Sequence, residues 1–154
     1  MRRLILVLGL SALVACAKKE APAPPPPAPP AAPPAPAPIS LGAVAGTWNF
    51  KTMPANNDSV LVTYTIVATA DTSGWTLTFP GRKPMTLQVS VSGDSVMTAS
   101  PQYESMLRKG VKVTTNGALH LVGDKLVGTT IGHYRVTGPD SVRTFRTEGV
   151  RAPK

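Results

Sequence analysis

VLVTYTIVA, residues 60–68, alternates large apolar side chains with mostly Thr, and this pattern decides the fold class of the chain. The even-numbered residues, Tyr64 and Ile66 among them, would share one face of a strand because successive side chains point to opposite sides. A period of two is typical of a half-buried β-strand, whose one face meets the core and whose other face meets solvent. The segment therefore predicts a sheet that is covered on one side.

Two segments further along the chain repeat this period. WTLTF at residues 75–79 sets three large apolar side chains against two Thr, and MTLQVSVS at residues 85–92 alternates in the same way. Turn-forming groups of Asn, Asp, Gly, Pro, Ser and Thr separate the runs at residues 56–58, 71–74, 80–81, 92–94, 116–117, 123–124 and 138–140. Their close spacing predicts an antiparallel meander instead of alternating strands and helices.

The full pattern predicts eight strands, near residues 46–53, 59–69, 74–79, 85–92, 94–99, 111–121, 125–135 and 140–148. One short helix is predicted at residues 101–109. Pro101 suits the first helical position, and Gly110 suits the C-terminal cap. Each of the eight strands has one apolar face that must be buried, and no long helix is predicted to cover these faces. The expected fold is all-β, a single antiparallel up-and-down β-barrel of about eight strands with at most one short helix.

The first fifteen residues have the features of a secretory signal peptide. Arg2 and Arg3 form a cationic start, residues 4–14 are mostly apolar, and Ala15 belongs to a small-residue exit. An apolar stretch of this length is too short for a bilayer core, which takes about 20 helical residues to cross. The sequence therefore predicts export and removal of residues 1–15 instead of a permanent membrane-spanning helix.

The tetrapeptide LVAC at residues 13–16 resembles the lipobox of bacterial lipoproteins. The resemblance implies cleavage before Cys16, a diacylglyceryl thioether on its sulfur and an acyl group on its new amine, and three chains make a stable membrane anchor. It also implies attachment to the bacterial cell envelope, on the outer membrane facing the periplasm, because Ala17 is not the Asp associated with retention in the inner membrane. The alternative is that residues 15–17 form an ordinary A-x-A cleavage site followed by release of a soluble protein. A lone Cys in an exported protein would otherwise be an unpaired thiol, which favours lipidation.

Residues 21–38 consist only of Ala and Pro, with eleven Pro among eighteen residues. Pro fixes φ and lacks an N–H, so the stretch forms neither a helix nor a sheet ladder, and as polyproline II it would reach roughly 55 Å. We expect a disordered, semi-rigid tether; the alternative, a PxxP ligand for an SH3-like module, lacks a flanking basic residue. The chain is thus divided into a signal peptide at residues 1–15, a lipidated N-terminus and linker at 16–38, and one domain at 39–154.

The tripeptide Gly46-Thr47-Trp48 opens the first predicted strand directly after the linker. At that place it resembles the first-strand signature of the lipocalin and avidin type of up-and-down barrel. The resemblance implies that a basic residue late in the last strand packs across Trp48. We assign that role to Arg146, or to Arg151 beyond it, in preference to Arg143. We expect Trp48 itself to plug the closed end of the barrel, and a contact with a ligand is the alternative.

The domain lacks the usual sequence signatures of catalysis and of metal or cofactor binding. It contains no H-E-x-x-H, G-x-S-x-G, S-x-x-K or P-loop motif. His120 and His133 stand on different predicted strands without a shared carboxylate motif. Five of the seven carboxylates are Asp residues in turns, which leaves Glu104 and Glu148 with no sign that they face each other. We expect no catalytic residue, no metal and no cofactor, and therefore no enzyme.

In residues 39–154, twelve Lys and Arg stand against seven Asp and Glu, a net charge of about +5. Basic residues gather at Arg82-Lys83 and at Arg108-Lys109 with Lys112. One hypothesis is a docking patch for anionic lipid headgroups or other envelope polymers, since such charges attract polyanions over about 10 Å. The other, favoured by the spread of five charges over two loops, is an ordinary solvated face. Nucleic acid is not an expected partner, because export separates the protein from it and no aromatic residues are interleaved with these charges.

Two functions of a non-catalytic barrel remain open at this point. In the first, an envelope lipoprotein binds a small apolar ligand or an envelope partner, and the candidate ligand-binding residues are Tyr64, Trp75, Leu77, Phe79, Leu87 and Val89. In the second, a structural or protein-interaction barrel is filled by those same side chains and has no ligand cavity. An enzyme with an unrecognised site is a third alternative. The volume of the barrel interior distinguishes the ligand-binding barrel from the filled barrel.

Overall fold

The structure of the protein is a computed structural model that describes residues 37–153. The predicted signal peptide, Cys16 and nearly all of the Ala/Pro linker lie outside the described residues. Within that range, one turn of helix, α1 (Leu41–Val44), and a short 3-10 turn (Pro139–Ser141) accompany ten strands. The strands are β1 (Gly46–Pro54), β2 (Val62–Ala68), β3 (Thr76–Thr78), β4 (Met85–Thr86), β5 (Gln88–Ser92), β6 (Ser95–Ala99), β7 (Tyr103–Glu104), β8 (Lys112–Val122), β9 (Lys125–Tyr134) and β10 (Val142–Arg151).

The strands form a single antiparallel sheet in the order β4-β3-β2-β1-β10-β9-β8-β6-β5, with β7 paired to β8. The two edge strands, β4 and β5, belong to one stretch of chain in which only Leu87 separates them. β4 pairs with β3 and β5 pairs with β6, while the Leu87 N–H donates to the Trp75 carbonyl oxygen at 2.8 Å. The sheet therefore curls into a nearly closed barrel, which confirms the all-β antiparallel prediction.

The described strands number about ten, where eight were predicted. The predicted strand at residues 85–92 is two strands, because the chain changes its pairing partner at Leu87, which is buried in the core. The second additional strand is β7, which lies where a helix was predicted. The other seven predicted strands agree with the observed ones to within three residues at each end.

The helix predicted at residues 101–109 is wrong, and the short helix α1 lies elsewhere in the chain. β7 pairs with the start of β8 instead. The Ser105 hydroxyl oxygen then accepts the backbone N–H groups of Leu107 and Arg108 at 3.0 and 3.1 Å. A helix of two turns is marginal on its own, so strand pairing and this side-chain turn determine the local structure.

Alternate residues of the strands face a continuous hydrophobic core. On β1, Trp48 and Phe50 are buried while Asn49 between them is exposed. The other strands, α1 and residues beside the strand ends contribute the buried residues Val44, Ile66, Ala68, Trp75, Leu77, Phe79, Leu87, Val96, Leu119 and Leu126.

The connections alternate between two ends of the barrel because neighbouring strands are antiparallel. The Trp48 end, as we call it, carries α1 and the connections at residues 69–75, 93–94 and 123–124. The other end carries the connections at residues 55–61, 79–84, 100–111 and 135–141, and we call it the rim. The described chain enters at the Trp48 end, where the Ile39 N–H donates to the Gly93 carbonyl oxygen at 3.0 Å.

Trp48 is fully buried and closes the end that is named after it. Its indole N–H donates to the Val44 carbonyl oxygen at 2.7 Å, and the Arg151 guanidinium lies 4.4 Å from the centre of its ring. Arg151 also donates to the carbonyl oxygen of Ala45 at 2.8 Å and to that of Ala43. One aromatic ring, one guanidinium and the carbonyl groups around α1 thus form the plug.

Of the two arginines assigned to the Trp48 ring, Arg151 contacts it and Arg146 does not. Arg151 is the register partner of Trp48 on β10, whereas Arg146 lies opposite Met53. Five residues of strand separate the two arginines, about 17 Å at about 3.4 Å per residue. The predicted last strand ended at residue 148, short of the observed end of β10, and this shifted the assignment toward the rim.

Candidate functional site

The interior of the barrel near the rim holds a cavity of about 60 Å³. Sites for small molecules usually measure about 300–1,000 Å³, and one water occupies about 30 Å³ of liquid. The cavity is therefore large enough for a few small atoms and too small for a fatty acid. Tyr64, Leu77 and Phe79, three of the six predicted ligand-binding residues, line it.

The other three predicted ligand-binding residues pack away from this cavity. Trp75 and Leu87 are buried in the hydrophobic core, and Val89 packs against it. The Trp75 indole N–H donates to the Asp71 carbonyl oxygen at 2.8 Å, which holds the ring at the Trp48 end. The structure thus divides the six residues between the core and a small cavity, and Tyr64 and Phe79 also contribute to a wider depression of about 600 Å³.

Hydroxyl groups on the wall of the cavity and directly behind it face one another. The hydroxyls of Thr130 and Thr147 lie 2.8 Å apart, and the Tyr64 hydroxyl faces both of them as well as Thr52. Burial raises the pKa of Tyr64 and raises the pKa of Tyr103 to about 12. Within residues 37–153, no buried side-chain nitrogen or oxygen lacks a hydrogen-bond partner. The cavity therefore offers a ligand no unpaired buried polar group.

Residues 105–110 fold over the cavity at the rim, and several of their side chains line it. The Arg108 guanidinium lies 4.7 Å from the centre of the Tyr134 ring. A second contact joins Arg108 to the Asp140 carboxylate at 3.7 Å. A cation over an aromatic face is attracted by the ring, so these contacts attach the loop to the end of β9 and to the turn after it.

The topology brings together at the rim basic side chains that are far apart in sequence. Adjacent strands supply some of them, since the Arg135 N–H donates to the Lys112 carbonyl oxygen at 2.8 Å. Arg82 donates to the Glu104 carbonyl oxygen and so joins the connection after β3 to β7. We use the name basic rim for the full set, which consists of Arg82, Lys83, Arg108, Lys109, Lys112, Arg135, Arg143 and Arg146.

Carboxylates neutralise only part of the basic rim. Asp140 pairs with Arg108 and Arg143, and Asp58 pairs with Arg146. Among the described residues, no carboxylate oxygen lies within 4.0 Å of the five other members, which are Arg82, Lys83, Lys109, Lys112 and Arg135. Eight cations and the three carboxylates of Asp58, Glu104 and Asp140 give this end a net charge of about +5.

The Trp48 end has a different charge balance. Its connections carry Asp71, Asp94 and Asp124, and the strand residues Lys125 and Arg151 beside them bring its net charge to about −1. The net positive charge of the described domain is therefore concentrated at the rim. In the sequence this asymmetry is hidden, because the connections of the two ends alternate along the chain.

Exposed apolar side chains share the rim with these charges. Leu61 and Leu107 line a surface depression of about 250 Å³ together with Arg108 and Arg143. Apolar and cationic groups are thus immediate neighbours there. The rim exposes five large apolar side chains, each 38–53% exposed: Val60, Leu61, Met106, Leu107 and Val142.

A wider depression of about 600 Å³ lies on the outer wall of the barrel and is lined by Asn49, Thr63, Lys51 and Glu148, among others. The ammonium groups of Lys125 and Lys51 lie 3.0 and 3.6 Å from the Glu148 carboxylate. The hydrogen bond from Lys125 is the main reason that the pKa of Glu148 lies below its ordinary value. A carboxylate that is held charged in this way is a poor proton donor, and no second carboxylate lines the depression.

The part of the chain that the structure describes has no group of three His, Cys, Asp or Glu side chains that could hold a metal ion. His133 Nε2 lies 3.5 Å from the side-chain amide nitrogen of Asn116, and no metal-binding set surrounds it. Over the same residues, no helix is both long and apolar enough to cross a membrane.

Comparison with known proteins finds no family model, curated protein or solved structure that matches this chain. The resemblance to lipocalin and avidin barrels therefore rests on Gly46, Trp48 and the barrel architecture. Gly46 has a φ of +130°, which side-chain-bearing residues rarely adopt, and a Cβ there would lie 3.0 Å from the Arg151 guanidinium. Local geometry beside the plug thus accounts for the glycine of this tripeptide.

Sequence reasoning found five members of the basic rim and missed Arg135, Arg143 and Arg146. Arg135 and Arg143 lie at the rim ends of β9 and β10, and Arg146, in the middle of β10, pairs with Asp58 in the connection at residues 55–61. The available signal was the parity of the connections, because every second connection of an antiparallel meander lies at the same end. Applied to the predicted strands, that count would have placed Arg135 and Arg143 beside the Arg108 loop, but not Arg146, which lies late in the predicted last strand.

Proposed function

We propose that this protein is an exported lipoprotein, anchored to the cell envelope through Cys16, whose non-catalytic β-barrel binds an anionic envelope partner through the basic rim. The signal peptide, the lipobox-like LVAC and the Ala/Pro tether of the sequence support export, anchoring and display. The proposed location is the outer membrane, with the domain facing the periplasm. The proposal places binding on the outside of the barrel.

The contrast between interior and rim is the observation that carries the proposal. The interior cavity measures about 60 Å³ and its hydroxyl groups face one another. The rim combines eight basic side chains with three carboxylates. Clustered charge of one sign attracts polyanions and accelerates their association. A filled barrel with one strongly basic end fits a partner-binding module better than a carrier.

The proposal of a non-catalytic protein is supported by the surroundings of the carboxylates. Asp58 and Asp140 pair with arginines of the rim, and Glu148 pairs with two lysines. The Glu104 carboxylate accepts the Gly110 N–H at 3.0 Å. The contacts of Glu148 lower its pKa, so this carboxylate is a poor general acid at neutral pH. The other three accept a hydrogen bond or form an ion pair. Each therefore has a structural partner that explains its presence.

Binding of a small apolar ligand is the second candidate function, and one observation favours it. Met106 and Leu107 lie over the cavity and are 39% and 38% exposed, so apolar surface leads from solvent to Tyr64 and Phe79 inside. A movement of the loop at residues 105–110 would have to enlarge the cavity severalfold to reach the usual size of a ligand site. For this reason we place this function second.

Retention on a polyanionic resin tests the proposed function. The lipidated protein, purified in a non-ionic detergent, is eluted with increasing salt, beside the variant Lys109→Gln/Lys112→Gln. Loss of two unpaired charges from the rim should lower the eluting salt concentration, because charge contacts with a polyanion are screened by salt.

The matched control is Thr72→Glu/Ser92→Glu, which changes the net charge by the same amount at the Trp48 end. Both replaced residues are exposed. We expect this control to elute close to the wild-type protein. Equal effects of the two pairs would show that only net charge matters, and would overturn the assignment of binding to the rim.

A further inference from the structure

We infer that the basic rim binds the surface of an anionic phospholipid bilayer, with Leu61, Met106 and Leu107 entering the headgroup region. The inference rests on the proposed function and specifies its partner. Polypeptides that bind at a membrane interface combine cationic groups, which attract anionic headgroups, with apolar groups, which are buried among them. The rim presents both kinds of side chain on one end of the barrel.

Geometry provides the first argument. The depression lined by Leu61 and Leu107 also contains the side chains of Arg108 and Arg143. Met106 precedes Leu107 in the same loop, and exposed Lys109 follows two residues later. Apolar tips and cationic groups therefore alternate over a small area, so a surface that meets one kind also meets the other.

Charge provides the second argument. Lys83, Lys109, Lys112 and Arg135 are exposed, and none has a carboxylate oxygen within 4.0 Å among residues 37–153. A bilayer surface can therefore attract these groups without first breaking an ion pair. Attraction to anionic lipids is short-ranged at ordinary ionic strength, since it falls off within about 10 Å.

The apolar side chains distinguish a lipid surface from a soluble polyanion. A charged polymer meets cations in water, and exposed apolar groups add nothing to that contact. A bilayer gains from burying them, at about 25 cal/mol for each Å² of apolar surface removed from water. Large apolar side chains that are more than a third exposed, placed between the arginines and lysines, therefore favour the bilayer.

The point of chain entry is compatible with this orientation. Residues 37–39 lead into the barrel at the Trp48 end, which is opposite the rim. The Ala/Pro sequence is expected to form a polyproline II linker with a reach of roughly 55 Å, which would let the domain turn its rim toward a bilayer.

Vesicle capture tests this inference with the lipidated protein. The protein is reconstituted through its own anchor into phosphatidylcholine vesicles and mixed with fluorescent vesicles that contain phosphatidylglycerol. We expect capture of the anionic vesicles and none of labelled vesicles of pure phosphatidylcholine. Lys109→Gln/Lys112→Gln should weaken capture on the order of 30-fold, the effect expected of two lysines near an anionic surface. Thr72→Glu/Ser92→Glu should capture as the wild-type protein does.

Replacement of the apolar side chains distinguishes binding to a bilayer from binding to a soluble polyanion. Met106→Ser/Leu107→Ser should lower vesicle capture while leaving elution from the polyanionic resin unchanged. Val91→Ser/Val122→Ser, which removes exposed apolar side chains at the Trp48 end, is the matched control and should change neither. Thermal melting of each variant verifies that the barrel is folded.

The possible outcomes distinguish failure of the bilayer inference from failure of the proposed function. Undiminished capture by folded Met106→Ser/Leu107→Ser would overturn the bilayer inference and would leave a rim that binds soluble polyanions. Failure of the protein to enter phosphatidylcholine vesicles would instead contradict the lipid anchor of the proposed function. If Lys109→Gln/Lys112→Gln does not change elution from the resin, the assignment of polyanion binding to the basic rim is contradicted.

Discussion

The guanidinium of Arg151 lies 4.4 Å from the centre of the Trp48 ring and connects the last strand of the barrel to the first. The same guanidinium donates to the carbonyl oxygens of Ala43 and Ala45 on either side of the end of α1. One side chain therefore joins three elements at the point where the described chain enters the barrel.

Replacement of Arg151 by Ala should lower the free energy of unfolding by about 2 kcal/mol, because a cation–ring contact and two charge-assisted hydrogen bonds are lost. Arg146→Ala is the matched control on the same strand. It removes an ion pair with the exposed Asp58, and such surface pairs contribute about 0–1 kcal/mol. Urea unfolding of both variants measures the difference. A larger loss from Arg146→Ala would contradict the plug.

Gly128→Ala should strongly destabilise the barrel. A Cβ at this position would lie 1.9 Å from the Ala118 carbonyl oxygen on the neighbouring strand, and backbone cannot move aside as a flexible side chain does. We expect a loss of about 3 kcal/mol or more, at the upper end for overpacked sites. At Gly42 the nearest atom, the Ser40 hydroxyl oxygen, would be 3.6 Å away, so Gly42→Ala should be close to neutral. Similar melting temperatures of the two variants would refute this account.

Stability should decline above about pH 10 because of the buried tyrosines. Burial is the main reason that the pKa of Tyr103 rises from 10.0 to about 12. A group with a raised pKa in the folded state contributes stability fully below its unfolded pKa, and loses it as the pH rises through the folded value. The loss should therefore extend from about pH 10 to about pH 12. Urea unfolding across this range measures it, and Tyr103→Phe should be less sensitive to alkali than the wild-type protein.

Cys16→Ser should abolish labelling of the protein by radioactive fatty acid and its detergent-dependent extraction from membranes. The thiol is the only one in the chain, so no other Cys can accept the lipid. Arg3→Lys keeps the cationic start of the signal peptide and is the control that should label normally. Labelling that persists in Cys16→Ser would show that the anchor is not at this residue.

Fluorescent fatty acids should not bind the domain in a saturable way, since the interior cavity measures about 60 Å³. The fluorescence of the protein itself would report poorly on this cavity, because Trp48 and Trp75 both lie at the opposite end of the barrel. The emission of the added probe is therefore the measurement. Saturable binding that Phe79→Ala changes and Val122→Ser does not would favour the carrier function instead.

The barrel was predictable because its strands carry their own signal. Period-two alternation in residues 60–68 and in residues 75–79 needs only local sequence, and turn residues mark where each strand ends. Predicted strands therefore agree closely with β2 and β3. When an extended stretch of chain changes its pairing strand partway along, the local sequence carries no such signal. The division of residues 85–92 into β4 and β5 at Leu87 was therefore not predicted.

The predicted helix at residues 101–109 failed for a related physical reason. Pro101 and Gly110 are good helix boundaries, but local propensity is weak over two turns. The backbone N–H of Ser105 donates to the Val111 carbonyl oxygen at 2.8 Å, and the pairing of Glu104 with Lys112 continues the same hairpin. These contacts depend on where β8 runs, which the local sequence does not specify.

The candidate site was only partly visible in the sequence. Lys109 and Lys112 stand close together in the chain, so their clustering was apparent. Arg135 and Arg143 join them only because β8, β9 and β10 are neighbours in the sheet. The size of the interior cavity likewise depends on how side chains from every strand pack, and no segment of the sequence encodes it alone.

Resonance mapping of the domain tests most directly the claim that binding occurs on the outside of the barrel at its basic end. The backbone amide signals of the protein are followed by NMR during titration with inorganic polyphosphate. We expect shifts at Lys83, Lys109, Lys112 and Arg135, with the amides of the Trp48 end and of the core unchanged. Shifts centred on Leu77 in the interior, or distributed equally over both ends, would contradict it.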